Sequence, residues 1–235
     1  MTSTPRPSPA GELAAATSAL VRPYDVTDIL AEMLRHCLTA TGAEAAALLV
    51  VQGSGQLELL SSTSHAASAI EIHQSQTKEG PCVDCVRTAV PVAAYGEAEL
   101  VARWAELGPA MMASGYLGVH AQPLVWHGRA LGGLNIFFDH ADALSDDARA
   151  LAQAFGDIAT LALVQTQQPS DRELNSHITE ALESRTLIEH AKGVLMQTEA
   201  VGPGDAYTAL TAQAREQGLT VTEMARNLVW RAHTR

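Results

Sequence analysis

The sequence predicts an α+β domain with an antiparallel sheet, followed by an all-α domain. In the first domain, at 24–168, short apolar runs bounded by glycine and proline alternate with segments of helical periodicity. The two clearest strands, at 117–126 and 129–138, are separated only by a His-Gly pair, which favours a hairpin. In the second domain, at 171–235, every segment has helical periodicity.

The elements of the first domain follow from its turn and breaker residues. Residues 1–23 are rich in Ser, Thr and Pro, so we expect a disordered leader that includes only a loose helix near Glu12. In chain order, we then expect a helix at 26–41, strands at 45–51 and 56–62, helices at 66–76 and 81–88, an extended segment from Pro91, a helix at 99–112, the hairpin described above, and a helix from Ser145 to about residue 168.

Three helices are expected in the second domain. Pro169 disfavours helical conformation in the residue before it, which places the domain boundary there. In chain order, we expect a capping residue at Ser170 or Asp171, a long helix at 171–199, a turn at 201–205, a second helix that Gly218 ends, and a third helix that Thr220 or Thr222 caps.

Apolar residues recur along the long helix with the spacing of a helix–helix seam. This pattern predicts a coiled-coil-like helix through which two copies of the chain form a homodimer. Arg185 and Lys192 follow the same rhythm, so the seam is not purely apolar. Its apolar members are Leu174, Ile178, Ala181, Leu182, Ile188, Ala191 and Leu195.

Composition and charge restrict the kinds of partner. The net charge of −11 argues against DNA as a partner, because phosphate binding depends on Lys and Arg. The second domain is closer to neutral, but composition alone does not predict that it binds RNA. The three cysteines fit a reducing compartment, and no apolar run is long enough to cross a bilayer. We therefore expect a cytoplasmic protein without a membrane partner.

Lys192 and Gly193 stand side by side in the long helix, although glycine inside a helix costs about 1 kcal/mol relative to alanine. The surrounding pattern resembles the ANTAR domain over nearly all of 174–232. The matching residues are Arg185, Ile188, Ala191, Lys192, Gly193, Leu195, Met196, Ala206, Tyr207, Leu210, Ala214 and Ala225. The resemblance implies a dimeric three-helix module that binds tandem hairpins in leader RNA and prevents transcription terminators from forming.

The resemblance also suggests which residues bind RNA. Ala191 and Gly193 would keep the helix surface low, and Lys192 would meet a phosphate as a point charge. Tyr207 would stack on an unpaired base. Arg185, which matches the motif, is a further candidate. Arg226 and Arg231, on the last helix, are weaker candidates, because they fit a solvated surface equally well. The structural alternative is a dimerising helix in which Gly193 lets a neighbouring helix approach and Lys192 covers apolar surface.

The first domain resembles a GAF domain over about 24–166. The resemblance rests on the order of its elements, on the EGPC turn at 79–82 and on the closing strand GGLNIFF at 132–138. It implies a sensor domain that can hold a small molecule between its sheet and helices. The sequence does not identify that ligand, so the cofactor stays unknown.

Cys82 and Cys85 form a C-x-x-C pair at the predicted start of the 81–88 helix. A first-turn position stabilises a thiolate, which favours a redox sensor, although Asp84 opposes it. Metal binding has little support, since Cys37 is the only further cysteine. The structural alternative is that both cysteines are small residues facing the pocket. His120, on a predicted strand, is either a core residue or a haem ligand.

Three functions remain open at this point. The leading hypothesis is a signal-responsive regulator without catalytic residues, in which the first domain senses a signal and the second antiterminates transcription. The second is a GAF-type reductase of free methionine sulfoxide, with Cys82 as the nucleophile and Cys85 as the resolving thiol. The third is an interaction module that dimerises without binding RNA.

Overall fold

The computed structural model describes residues 8–22, 25–164 and 171–233, with the side chains of the last range described from residue 182 onward. The chain divides into two compact units, Met1–Thr166 and Gln167–Arg235. Within the described residues, no helix combines the length and the apolar character that crossing a membrane requires.

A five-stranded antiparallel sheet forms the centre of the first unit, with the strand order β2-β1-β5-β4-β3. The strands are β1 Ala45–Val51, β2 Leu57–Ser62, β3 Val92–Tyr95, β4 Gly118–Trp126 and β5 Arg129–Phe138. His127 and Gly128 both adopt positive φ angles, of 48° and 78°, as a two-residue hairpin turn requires. The predicted α+β fold and both hairpins are confirmed.

Helices cover both faces of this sheet. They are α1 Pro9–Ala19, α2 Val26–Thr41, α3 His65–Thr77, α4 Pro81–Thr88, α5 Gly96–Arg103, α6 Leu107–Ala113 and α7 Asp146–Val164. Helices α1, α2 and α7 pack on the face that presents Ala46, Leu48 and Ile136. Helices α3 to α6 pack on the face that presents Ala45, Ala47 and Phe137. Alternate side chains of each strand therefore point into two different cores.

The helix expected near Glu12 is present, but it is longer and better packed than expected within the leader at 1–23. It spans Pro9–Ala19, and Ser8 accepts a hydrogen bond from the Gly11 backbone N–H at 3.1 Å and so caps it. Ala16 is buried against α2 and α7, and Glu12 contacts His36 of α2. The sequence indicated this packing only weakly, because few large apolar residues make the contact.

The single helix expected at 99–112 is two helices. The break falls at Trp104, whose backbone is extended at φ −135° and ψ 91°. The buried Trp104 ring donates a hydrogen bond from Nε1 to Asp84 Oδ2 at 3.0 Å. The chain leaves helical conformation at this point, and the tryptophan is anchored to α4.

The second unit consists of α8 Asp171–Glu199, α9 Pro203–Glu216 and α10 Val221–His233. Its core contains the buried residues Ala191, Leu195, Ala206, Leu210, Ala214, Met224 and Ala225. The three predicted helices are confirmed, but α9 begins at Pro203, inside the expected turn at 201–205, because proline suits a first helical turn. The side chains of Leu174, Ile178 and Ala181 lie outside the described set, so the predicted seam stays a prediction there.

Thr220, not Thr222, caps α10. The Glu223 backbone N–H donates to Thr220 Oγ1 at 3.2 Å, and the Thr220 backbone N–H donates to Glu223 Oε2 at 2.8 Å. These reciprocal bonds form a capping box. The bonds from Thr220 lower the pKa of the Glu223 carboxyl.

Thr220→Ala should reduce the free energy of local unfolding of α10 by about 1 kcal/mol, because one helix cap is lost. Hydrogen exchange of the α10 amides, followed by mass spectrometry on the full chain, measures this change. Thr222→Ala is the matched control and should stay close to the wild type. Equal effects of the two substitutions would contradict the assignment of the cap.

Candidate functional site

Lys192 lies on α8 at the edge of the three-helix core. Its ammonium donates to both carboxylate oxygens of Glu189, with Nζ–O distances of 3.0 and 2.9 Å. The Lys192 side chain is 18% exposed, whereas that of Glu189 is 57% exposed. The cation is therefore held by a carboxylate that itself faces the solvent.

Gly193 opens directly to solvent. A Cβ atom placed on it would meet no heavy atom within 4 Å in the described part of the chain. Its lack of a side chain therefore serves no helix contact within this unit. The backbone of α8 beside Lys192 is consequently exposed, with no side chain projecting from position 193.

Ala191 corrects the expectation that it contributes to an RNA-binding surface. The residue is fully buried in the core with Ala206 and Leu210. A small side chain at this position lets α8 approach the other helices closely. Ala191 therefore positions its neighbour Lys192 and does not itself reach a partner.

The other candidate residues are accessible but lie on different helices. Tyr207 is 47% exposed at the start of the second turn of α9, next to the buried Ala206. Arg185 on α8 and Arg226 on α10 are also exposed. A surface that includes all the candidates must therefore extend over the three helices of the unit.

Trp230 is a surface residue that the sequence analysis did not single out. It lies on α10 and is 67% exposed. Tryptophan in an amphipathic helix is ordinarily assigned to the core. The sequence could have indicated its exposure, because Trp230 follows Arg226 by four residues and the two side chains therefore lie on one face of the helix.

Cys82 and Cys85 are completely buried free thiols at the start of α4. The Cys85 thiol donates to the Cys82 carbonyl oxygen at 3.3 Å. Both sulfurs lie over Gly133 of β5, where a Cβ atom would come within 2.6 Å of one and 3.1 Å of the other. The absent side chain of Gly133 provides the space that the pair occupies.

This environment opposes the thiolate that a redox sensor or a reductase requires. The hydrogen bond with Cys85 and the burial of the thiol raise the pKa of Cys82 well above its ordinary value, and nearby Glu71 adds to the increase. These effects outweigh the favourable first-turn position. The geometry therefore agrees with the structural alternative, in which both cysteines are small packed residues. They contact the sheet, however, whereas that alternative had them facing the pocket.

Cys37, a residue of α2, is buried in the other core, which lies on the opposite face of the sheet. Burial raises the pKa of its thiol to about 12. Within the described residues, no group of three His, Cys, Asp or Glu side chains could hold a metal ion.

A buried polar network adjoins the cysteine pair. Both oxygens of Glu71 accept hydrogen bonds, one from Asn135 Nδ2 at 2.7 Å and one from Gln74 Nε2. Gln74 Oε1 in turn accepts from the Cys82 backbone N–H at 3.1 Å. Burial raises the pKa of Glu71 to about 8, against the opposing effect of these bonds. No sequence pattern indicates this network, because Glu71 resembles any polar residue of a surface helix.

His120 lies on the opposite face of the sheet from the cysteines. It shares its face of β4 with Gln122, which donates to Gln153 of α7 at 2.7 Å. Burial lowers the pKa of His120, against the opposing effect of the neighbouring Gln122 side chain, and neither ring nitrogen makes a hydrogen bond of good geometry among the described residues. His120 is a core residue and cannot share a site with Cys82 and Cys85.

The architecture of the two units defines the class of protein: an α+β domain with a central antiparallel sheet, followed by a three-helix module that carries a partly exposed, ion-paired lysine. Models of protein families assign both parts. A GAF domain matches residues 24–164, and an ANTAR domain matches residues 176–229. The chain belongs to the GAF domain family and carries an ANTAR domain at its C-terminal end. It therefore combines signal sensing with RNA-binding, antiterminating regulation.

Solved structures support the fold of the first unit. The GAF domain of a phosphoenolpyruvate-protein phosphotransferase from Coxiella burnetii is 16% identical, with a TM-score of 0.54, and the match covers 68% of this chain and 95% of that one. The corresponding domain from Acinetobacter is 12% identical, with a TM-score of 0.53 and coverages of 65% and 90%. Free methionine-R-sulfoxide reductase from Neisseria meningitidis is 13% identical, with a TM-score of 0.50 and coverages of 71% and 94%. These likenesses show the fold alone. No curated protein matches the chain.

Gly133→Ala should destabilise the first unit by about 1–3 kcal/mol, because the new methyl group overlaps the Cys82 sulfur. Chemical denaturation of the full chain, followed by the fluorescence of buried Trp104, measures this loss. Cys82→Ala frees the space, so the double variant should lose less than the sum of the two single losses. Strict additivity would show that the sulfur is not the obstacle.

Glu71→Gln should change how stability depends on pH. The pKa of Glu71 rises from 4.5 to about 8 on folding, so the stability associated with its protonation is present below about pH 4.5 and is lost as the pH rises to 8. The variant should therefore gain stability relative to the wild type from pH 5 to pH 8. Urea denaturation at several pH values measures the difference. Exposed Glu58→Gln is the control, and an equal gain there would contradict this assignment.

Proposed function

We propose that this protein binds tandem hairpins in leader RNA through its ANTAR domain and that its GAF domain makes the binding responsive to a signal. The observation that carries this proposal is the pairing of Lys192 with solvent-open Gly193 on α8. An RNA backbone can approach a helix closely where no side chain intervenes. The adjacent ammonium then supplies a phosphate contact.

A phosphate could replace Glu189 as the anionic partner of Lys192. Glu189 neutralises Lys192 in the free protein while remaining largely in solvent. A phosphate that replaces it would return the carboxylate to water at little cost, because exposed ion pairs contribute little stability. RNA binding would then need no new charge, only a change of partner for Lys192.

A homodimer through the long helices completes the proposal. Among the side chains of α8 that the structure describes, those from residue 182 onward, the core of the second unit begins at Leu187. Leu182, within the earlier part of α8, is 57% exposed. Pairing this part with a second copy would cover such residues and double the RNA contacts. We place the protein in the cytoplasm and propose no DNA or membrane partner.

The proposed switch acts through the association of helices. A signal at the GAF domain would favour one arrangement of α7 and α8 across the dimer, and the signal would need a higher affinity for that arrangement. Its chemical identity and its binding site are not assigned. Because both thiols of the α4 pair are buried, dithiothreitol should leave RNA binding unchanged.

Gel-shift titration at fixed salt tests RNA binding directly. The probe is an RNA with two tandem hairpins and unpaired loops. Lys192→Ala and Tyr207→Ala should each weaken binding about tenfold, through loss of a phosphate contact and of base stacking. If both variants bind like the wild type while remaining folded, the interaction module without RNA binding is the better description.

Glu189→Gln should strengthen RNA binding by about threefold, because it removes the carboxylate that competes with phosphate for Lys192. Fluorescence anisotropy of labelled RNA measures the dissociation constant. Glu183→Gln, an exposed position on the same helix, is matched in charge and should have a smaller effect. Weaker binding by Glu189→Gln would mean that Glu189 positions Lys192 and does not compete with RNA.

A further inference from the structure

The exposed face of α10 is the strongest feature that the proposed function leaves unused. The helix directs Met224 and Ala225 into the core, with Leu228 and Val229 packed against them. Its outer face presents Arg226 and Trp230. A tryptophan that is 67% exposed leaves a large aromatic surface in water, which favours contact with a partner.

The charge of α10 indicates the kind of partner. After Glu223, at the capped end, the charged and titratable residues of the helix are Arg226, Arg231 and His233. This basic segment stands out in a chain whose net charge is −11. A basic surface around an exposed aromatic ring is the combination that single-stranded nucleic acids bind, with phosphates beside the cations and a base on the ring.

The outer face of α10 is a better place for a phosphate than the cleft on the other side of the helix. That cleft, of about 610 Å³, is lined on α10 by Leu228, Arg231 and Ala232, and neither Arg226 nor Trp230 lines it. Acidic Glu199 of α8 also lines the cleft, which disfavours an anion there.

We propose that Arg226 and Trp230 form a second RNA contact, here called the α10 surface, in which an unpaired base stacks on the Trp230 ring. Arg226 and Trp230 are four residues apart, so they share one helix face. Stacking accepts any base, which suits an unpaired loop in RNA. The α10 surface rests on the proposed function, because it extends the contact that Lys192 and Tyr207 begin.

A second copy of the chain is the less suitable occupant. A two-fold dimer contact places the same patch of both copies face to face. On α10 that arrangement would bring Arg226 and Trp230 close to their own copies, and Glu223 at the start of the helix is the acidic residue of α10 that could offset the repulsion between the basic ones. RNA supplies the opposite charge, and its bases supply flat apolar faces.

RNA anisotropy titrations with variants of the full chain test this surface. Trp230→Leu keeps an apolar side chain but loses the aromatic ring, and it should raise the dissociation constant about tenfold. Trp230→Phe keeps a smaller ring and should raise it about threefold. Trp126→Phe is the control, because Trp126 is a partly exposed tryptophan of the other unit. A fully paired RNA duplex of equal length should bind all four proteins equally.

Protein fluorescence adds an independent readout. Hairpin RNA should quench the emission of the wild type and of Trp126→Phe, and this quenching should be lost in Trp230→Phe. Circular dichroism checks that each variant keeps its helices.

The outcomes separate the two proposals. If the wild type binds hairpin RNA and Lys192→Ala weakens it, but Trp230→Leu keeps full affinity, only the α10 surface is overturned. If the wild type binds no RNA, both are overturned. If Trp230→Leu changes the sedimentation coefficient and its RNA affinity is unchanged, the face contacts a second copy, which also overturns the α10 surface.

Discussion

Close packing through small residues determines where the functional side chains of this protein lie. Four of the seven buried residues in the core of the ANTAR domain are alanines, at positions 191, 206, 214 and 225. Alanine contacts let helix axes approach closely, so short helices form a stable unit with a small core. Lys192, Tyr207 and Trp230 are anchored to this core through immediate or near neighbours. A larger side chain at any of the four alanines would therefore move the proposed RNA surface as well as destabilise the fold.

The same constraint operates in the GAF domain, with a different consequence. Gly133 leaves the space that Cys82 and Cys85 fill, and Glu71 with Asn135 completes the interior on that side of the sheet. A thiol in this position becomes reactive only after α4 has moved and water has entered. Signal reception is thus better sought in a rearrangement of helices than in direct chemistry at the cysteines.

Features that depend on local residue types could be predicted from the sequence, whereas features that depend on tertiary contacts could not. The hairpins and the division into two domains depend on glycine and proline residues whose effects are local, and they were predicted. The cap of α10 was narrowed to Thr220 or Thr222 on the same grounds. The packing of α1, the break at Trp104 and the burial of Glu71 depend on tertiary contacts that no local pattern reports. The proposed RNA-binding set came from family resemblance. Burial then separated Ala191, which packs, from Gly193, which is open. Trp230 was missed because apolar residues are assigned inward by default.

Antitermination can be measured by transcription of a template that carries two tandem hairpins before a terminator. Single-round reactions with purified polymerase would give the fraction of transcripts that read through the terminator, with and without the protein. We expect the wild-type protein to increase read-through and Lys192→Ala to do so only at higher concentration. An unchanged read-through fraction at protein concentrations that saturate the RNA would contradict an antiterminating role, because RNA binding would then occur without antitermination.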